Sequence, residues 1–430
     1  GIPAPVKVLL LFAAIVLLFK LKVPLWADIF IASALTGLWF GAGPSETALM
    51  LARNAAGGES LYLCAIVFLI QGVSNVMDGA GALKRLAGAF TALLGRSARS
   101  SAALPALIGL LPMPGGAVFS APMVDAACDN GSQSPEQKAA VNYWFRHIWE
   151  YWWPLYPGVI LLTTLFRIPM WKMAVQIPLT AAALLGGWLF LLRPAFRSDR
   201  ASGSRTDGAA VPRGAARAAL RESAPIIVMI VAIFGLGPVI GALGVRGLDV
   251  KYWPVIIGSL AAVVWLGAAE RLGFARTARM FLSRGQVPMI LIAAAIITYK
   301  GVLMDSGAFE AVQSDLVRYR LPALAVIAAL PFVAGLVTGI AVGFVGASMP
   351  IVISLLPAGA AESDARLAYL VLAYSFGYIG MMLSPVHLCL ILTRDYFKAD
   401  LNGIYRWFAL PGATVLAAGS ALFFLYRAVL

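Results

Sequence analysis

Arg146, His147 and Glu150 sit close together in a run that is otherwise apolar and aromatic, NYWFRHIWEYWWPLYPG at residues 142–158. Ionisable groups in such surroundings are costly to bury, and they persist where they pair with one another or line a pathway. On a continuous helix Arg146 and Glu150, four apart, share one face. Two readings follow: an ion pair that holds the helix, or a guanidinium that grips an anion while Glu150 or His147 carries a coupled proton. Pro154 and Pro157 should split this helix and free backbone groups at the break. A second run, AYSFGYIGMMLSPVHLCLILT at residues 373–393, has a similar interruption at Pro385. His387 beside it reads as a helix-terminus ligand or as a satisfied core histidine. Asn142 in the first run, and Tyr374, Ser375, Tyr378, Ser384 and His387 in the second, are candidate binding residues. The aromatic crowd of Tyr143, Trp144, Trp149, Tyr151, Trp152 and Trp153 reads as packing or interface anchoring rather than a substrate cage.

Each run is preceded by an apolar stretch that makes a poor continuous helix. The first contains PMPGGAVFSAPMV at residues 112–124, the second VTGIAVGFVGASMPIV at residues 337–352. Proline removes a backbone donor, and glycine admits angles that a helix forbids. Residues 101–128 are too short for two membrane crossings and long for one, so a re-entrant hairpin is predicted, with its tip at Pro114, Gly115, Gly116 and Ala117. Residues 321–356 should form its counterpart. Bare backbone at membrane depth must be buried in protein or line a cavity, where it can bind a ligand. This makes Pro114, Gly115, Gly116, Ala117, Ser120, Thr338, Gly339, Gly343 and Ser348 further candidates. The four-residue spacing of Gly335, Gly339 and Gly343 equally suits close helix packing.

The elements that must position these residues are membrane spans. The chain has 430 residues, of which 61% are hydrophobic and 12% charged, about half the charge of an ordinary soluble domain. Apolar runs long enough to cross a hydrocarbon core of about 30 Å recur between short polar breaks. Spans are predicted at residues 5–22, 24–41, 61–78, 138–168 and 170–192, and again at 223–243, 252–270, 286–304, 366–392 and 405–426. The opening segment is expected to be a first span, because no small-residue cleavage site follows it. In each half an amphipathic stretch, at 81–99 and 306–320, precedes the hairpin.

The same plan thus occurs twice. Met77 and Asp78 lie 227 positions before Met304 and Asp305, while Gly115, Ser120, Pro122 and Pro157 lie 228 before Gly343, Ser348, Pro350 and Pro385. The fold class is therefore an all-α polytopic membrane protein with two inverted five-span repeats, residues 1–192 and 223–430, each with a re-entrant hairpin and a broken helix. Residues 193–222, with seven arginines, form the linker. On this plan 21 of the 33 Lys and Arg fall on one face and ten on the other, with Arg146 and Lys300 inside spans. The positive-inside rule places the linker in the cytoplasm and both termini outside. Asp78 and Asp305 read as helix-end groups, and Lys300 as a snorkelling side chain.

The formal charge of +13 forms no continuous basic patch with interleaved aromatics, so nucleic acid is not an expected partner. Cys64, Cys128 and Cys389 show no paired spacing and read as small core residues. No metal-ligand, nucleophile or phosphate-loop motif occurs, so neither an enzyme nor an ATP-driven pump is expected, and no cofactor beyond a coupling sodium ion or proton.

In plan the chain resembles the ion transporter superfamily of secondary carriers, which includes gluconate permeases, divalent anion/sodium symporters and arsenite permeases. Within it, PMPGGAVFSAPMV and FRHIWEYWWPLYPG look like a family of bacterial and archaeal integral membrane proteins of uncharacterised function. The resemblance implies a scaffold domain, a mobile transport domain, a homodimer, an elevator-type mechanism and a multi-pass protein of the prokaryotic cytoplasmic membrane. The symporters' Ser-Asn-Thr signature is missing from both hairpin tips, and Ser74-Asn75 lies in a different span. The expected function is secondary transport of a small anion, an organic carboxylate above all, driven by sodium or protons. A cation/proton antiporter is the alternative, and an uncoupled channel or lipid-handling protein a third.

Overall fold

Prolines mark where many helices begin, because the first turn needs no donor there. The computed structural model describes residues 2–94, 98–110, 116–128, 133–194, 214–242, 252–319, 323–357, 359–361 and 363–430. Among these the first half forms α1 (Ala4–Lys20), α2 (Leu25–Trp39), α3 (Pro44–Ala55), α4 (Gly58–Gly79), α5 (Ala82–Leu94), α6 (Ala98–Ile108), α7 (Ala117–Ala127), α8 (Pro135–Arg146), α9 (Pro157–Leu165) and α10 (Ile177–Gly187). A 3-10 turn (Met170–Gln176) leads into α10 and a π turn (Trp188–Leu192) continues it. The second half forms α11 (Ala215–Ala242), α12 (Trp253–Ala269), α13 (Phe274–Phe281), α14 (Gln286–Asp305), α15 (Ala308–Tyr319), α16 (Ala323–Thr338), α17 (Ala341–Ser354), α18 (Arg366–Met382), α19 (Leu388–Phe397) and α20 (Leu401–Val429). No strand occurs among the described residues.

Among the described residues five helical segments are long and apolar enough to cross a membrane: Gly58–Gly79, Met170–Leu192, Ala215–Leu236, Gln286–Asp305 and Leu401–Val429. The protein is thus an all-helical membrane protein. Of the other predicted spans, α1, α2, α12 and α18 are helices of 15 to 17 residues, roughly 23–26 Å at 1.5 Å per residue. Apolar side chains such as Leu17, Val231, Leu260, Val264, Leu410 and Phe424 point outward. That surface is suited to lipid rather than water.

Local caps act where polar residues are affordable. The Ser134 hydroxyl accepts from the Gln137 amide at 3.2 Å ahead of Pro135, and the Asp400 carboxylate accepts from the Gly403 amide at 2.9 Å. Glu136 in the first turn of α8 also accepts from the Asp400 amide at 3.3 Å, which ties the starts of α8 and α20.

The helices segregate into two groups. α1–α5 pack with α11–α15, and α6–α10 pack with α16–α20. Between the groups α17 packs on α14, α15 and α1, and α9 packs on α4 and α14. Packing across the halves is reciprocal: α2 meets α14 as α12 meets α4, α3 meets α14 as α13 meets α4, α1 meets α15 as α11 meets α5, and α9 meets α17 as α19 meets α7.

The glycines of the second apolar stretch divide between packing and turning. A Cβ on Gly335 would stand 2.2 Å from the Gly377 carbonyl oxygen, and one on Gly380 would stand 2.0 Å from that of Phe332, so α16 and α18 touch backbone to backbone. Gly339 instead ends α16 with φ +63°, a left-handed conformation that favours glycine. A methyl group forced between α16 and α18 has nowhere to go. Gly380→Ala is expected to destabilise the fold by about 1–3 kcal/mol, the usual range for overpacking. A melting temperature in detergent equal to that of the parent would contradict this packing.

Candidate functional site

The helix interruptions are brought together by close contacts: Gly116 lies against Arg146, Gly158 against Ala341, and Gly339 against Ser384 and His387. α6 stops at Ile108 and α7 starts at Ala117; α8 stops at Arg146 and α9 starts at Pro157; α16 gives way to α17 at Gly339 and Ile340; α18 stops at Met382 and α19 starts at Leu388. The first break begins at His147, well before the prolines that predicted it. Arg146 and Glu150 are therefore not successive turns of one helix face, and the expected helical ion-pair register does not form. Glu150 instead brings its carboxylate to 3.9 Å from His147 Nε2.

Side-chain donors explain why the helix can open so early. The Tyr378 hydroxyl donates to the His147 carbonyl at 2.8 Å, Thr180 to Ile148 at 3.0 Å, Tyr374 to Glu150 at 2.5 Å and Gln176 to Tyr151 at 2.6 Å. Backbone carbonyls released by the break are thereby satisfied from α18, α10 and the turn before it, as buried polar groups require. The opening was expected to leave carbonyls free for a ligand; these four already accept from protein. Aromatics of the same segment do the same for the end of α6. Trp149 donates to Ala106 at 2.8 Å, Trp153 to Leu110 at 3.0 Å and Tyr156 to Gly109 at 2.5 Å. Their role is packing with a polar handle.

Arg146 is 1% exposed, a fully buried guanidinium. It lies against the start of α7: a Cβ on Gly116 would meet its Nη2 at 2.0 Å, and the Tyr156 hydroxyl is a hydrogen-bond partner. His147 and His387 stack edge to face with ring centroids 4.9 Å apart, and the Tyr143 ring packs on both. Cys389, two residues beyond His387, completes a buried trio with the two histidines, whose ligand atoms lie within 4.8 Å of one another. Among the described residues this set could hold a metal ion.

The remaining predicted residues separate clearly. Asn142 donates to Thr393 of α19 at 3.1 Å, and its Oδ1, together with Ser384 Oγ and Tyr151 Oη, is buried with no hydrogen-bond partner among the described residues. Gly339 approaches the Ser384 hydroxyl and the His387 amide. Ala117 is buried at the first turn of α7. Gly343 packs on Thr338, whose hydroxyl donates to Ala334 at 2.8 Å. Ser120, Ser348 and Ser375 turn back onto the carbonyls of Ala117, Phe344 and Leu372 in their own helices. Ser375 also lies against Gly419 of α20. Pro114 and Gly115 lie outside the described residues. Lys300, expected to snorkel, is instead buried and paired with Glu59 at 2.9 Å, because α14 faces α4 there.

Cys389 was legible only as a small apolar residue, and its one signal was its place two positions after a histidine at a helix break. Asp28 of α2 was also missed; it is 0% exposed, with neither carboxylate oxygen hydrogen-bonded among the described residues, and it lies in the other helix group.

The chain belongs to the family described as "Protein of unknown function (DUF401)", whose model matches residues 4–425. No curated protein matches the sequence.

Proposed function

We propose that this member of a family of unknown function is a secondary active transporter of a small organic anion, coupled to sodium or protons, working by an elevator-type movement of one helix group against the other. The observation that carries the anion reading is Arg146 at the start of α7. Arg146 ends α8, where the dipole favours a cation, and its guanidinium lies against the positive end of α7, so an anion between them would be favoured by both. The fork of Arg146 suits a carboxylate.

Further features point the same way. A cavity of about 410 Å³, bordered by Arg167, Lys300, Glu310, Arg366, Phe166 and Phe309, lies where α9, α14, α15 and α17 meet. With Lys300 held by Glu59, Arg167 and Arg366 against Glu310 leave a net positive lining that raises the local concentration of anions there. The cation/proton alternative would draw on released carbonyls, and those of His147, Ile148, Glu150 and Tyr151 are already engaged.

Reciprocal packing of α1–α5 and α7 on their partners is what a two-fold relation between inverted repeats produces. Polar contacts between distant segments also agree with the predicted faces. Arg85 pairs with Glu222 at 3.0 Å and with Glu270 at 2.6 Å, all three predicted cytoplasmic. Lys172 pairs with Asp364 at 2.5 Å, and the Ala4 amide donates to Asp315 at 2.7 Å, all four predicted on the opposite face. On this reading α6/α7 and α16/α17 are the two re-entrant hairpins, and the surrounding bilayer is a prokaryotic cytoplasmic membrane.

The test is solute counterflow in proteoliposomes, with a panel of radiolabelled mono-, di- and tricarboxylates and sulfonates, with and without sodium and at two pH values. At least one carboxylate is expected to be taken up saturably, with dependence on sodium or on the proton gradient. Electroneutral cation exchange without any organic solute would replace the proposal with the antiporter.

A further inference from the structure

We infer that His147, His387 and Cys389 form a binding site for a soft monovalent metal ion of the copper(I) class. The site joins both halves of the chain: His147 caps the end of α8, His387 caps the start of α19, and Cys389 stands in the first turn of α19. All three are at most 6% exposed, and their ligand atoms lie within 4.8 Å of one another. A small contraction brings such a set around one ion.

The hydrogen bonds of the two imidazoles prepare them for this. His147 Nδ1 is 2.6 Å from the Tyr143 carbonyl, and His387 Nδ1 is 3.4 Å from that of Met381. A carbonyl only accepts, so each Nδ1 carries the proton and each Nε2 presents a lone pair. Orientation of a metal-binding histidine by a backbone carbonyl at its other nitrogen is the usual outer support of such sites. Cys389 places its sulfur against His147. Two imidazoles and one thiolate in a three-coordinate arrangement suit copper(I), for which thiolate is a preferred ligand.

Charge selects the ion. Around the trio stand the buried Arg146 guanidinium, the Glu150 side chain 3.9 Å from His147, and the Tyr143 ring, so the setting already holds a cation before a metal enters. When copper(I) binds, the S–H bond of Cys389 breaks, an S–Cu bond forms and one proton leaves, so one positive charge replaces another. Zinc(II) by the same exchange would leave one uncompensated positive charge in a buried setting beside Arg146, which is expensive at low dielectric. No change of oxidation state is involved. The inference goes beyond the transport reading and does not rest on it, since the same ligands would bind copper(I) in a protein that moves no solute.

The experiment uses the full chain purified in detergent under reducing, anaerobic conditions, with copper(I) supplied as its bicinchoninate complex. One equivalent of copper(I) is expected to transfer to the protein. Cys389→Ser and His387→Ala should each weaken binding by at least about 100-fold, as for loss of a metal ligand. The double change Cys64→Ser/Cys128→Ser should leave it unaltered, and zinc(II) should not compete. X-ray absorption of the loaded parent protein, which needs no variant to fold, should show mixed sulfur and imidazole coordination. Copper(I) affinity that survives loss of Cys389, zinc binding as tight as copper(I), or a coordination shell without sulfur would each overturn the assignment.

Discussion

Arg146→Lys is expected to weaken binding of the transported anion by roughly 10- to 150-fold while leaving a folded protein. The arginine presents a planar fork, and lysine offers a single point charge that cannot reproduce it. Loss of one charge-assisted hydrogen bond costs about 1.5–3 kcal/mol, and about 1.4 kcal/mol is a factor of ten. Charge near Glu150 is conserved, so the unliganded protein should keep its melting temperature and expression level. A purely structural arginine predicts the reverse: lower stability without ligand, and normal affinity in whatever protein survives. Glu150→Gln provides the partner measurement, because it removes the acid without touching the fork. It should alter the proton dependence of counterflow more than the affinity for the anion. A stable Arg146→Lys protein with parental affinity would remove Arg146 from the binding site.

The second large effect concerns the proposed movement between the helix groups. Gly346 of α17 faces Ile296 of α14, and a Cβ built on the glycine would stand 3.6 Å from the Ile296 Cβ. That separation falls within the roughly 3.5–4.5 Å a disulfide requires. In the double variant Gly346→Cys/Ile296→Cys, oxidation is expected to join the two groups and reduce counterflow to background, with recovery on reduction. The parent protein under the same oxidant controls for Cys64, Cys128 and Cys389. Completion of the cross-link is read by mass spectrometry of the alkylated protein. Full counterflow with the bond formed would end the elevator account while leaving transport itself intact.

Much of the plan was readable along the chain because the rules that wrote it are local. Composition points to a membrane protein, since apolar segments of this length are seldom all buried in a soluble domain. Proline and glycine marked the neighbourhood of the interruptions, since a missing donor or a left-handed turn weakens a helix locally, although Pro105, Pro122, Pro331, Pro350 and Pro411 stand inside helices. Gly339 and Pro385 mark turns where the structure turns. The polar residues of α8 and its break were conspicuous for the same reason, as each is anomalous in its own segment.

Tertiary structure decided what these residues meet. The break after Arg146 opens ahead of its prolines because donors from α18 and α10 satisfy the carbonyls that the helix gives up, and Tyr374 and Tyr378 are more than two hundred positions away from them in sequence. Ser120, Ser348 and Ser375 looked equivalent to Ser384 by type, yet three of them bond their own helices, the usual recourse of a hydroxyl in an apolar helix. The hydroxyl of Ser384, in a break, has no hydrogen-bond partner among the described residues. Cys389 drew no notice because a thiol is unremarkable in an apolar run, and only the approach of His147 from the other half gives it a chemistry. A left-handed turn such as Gly339 is a property of one residue's backbone, so sequence can display it, whereas where α8 opens and what the breaks can bind depend on which distant segments are folded against each other.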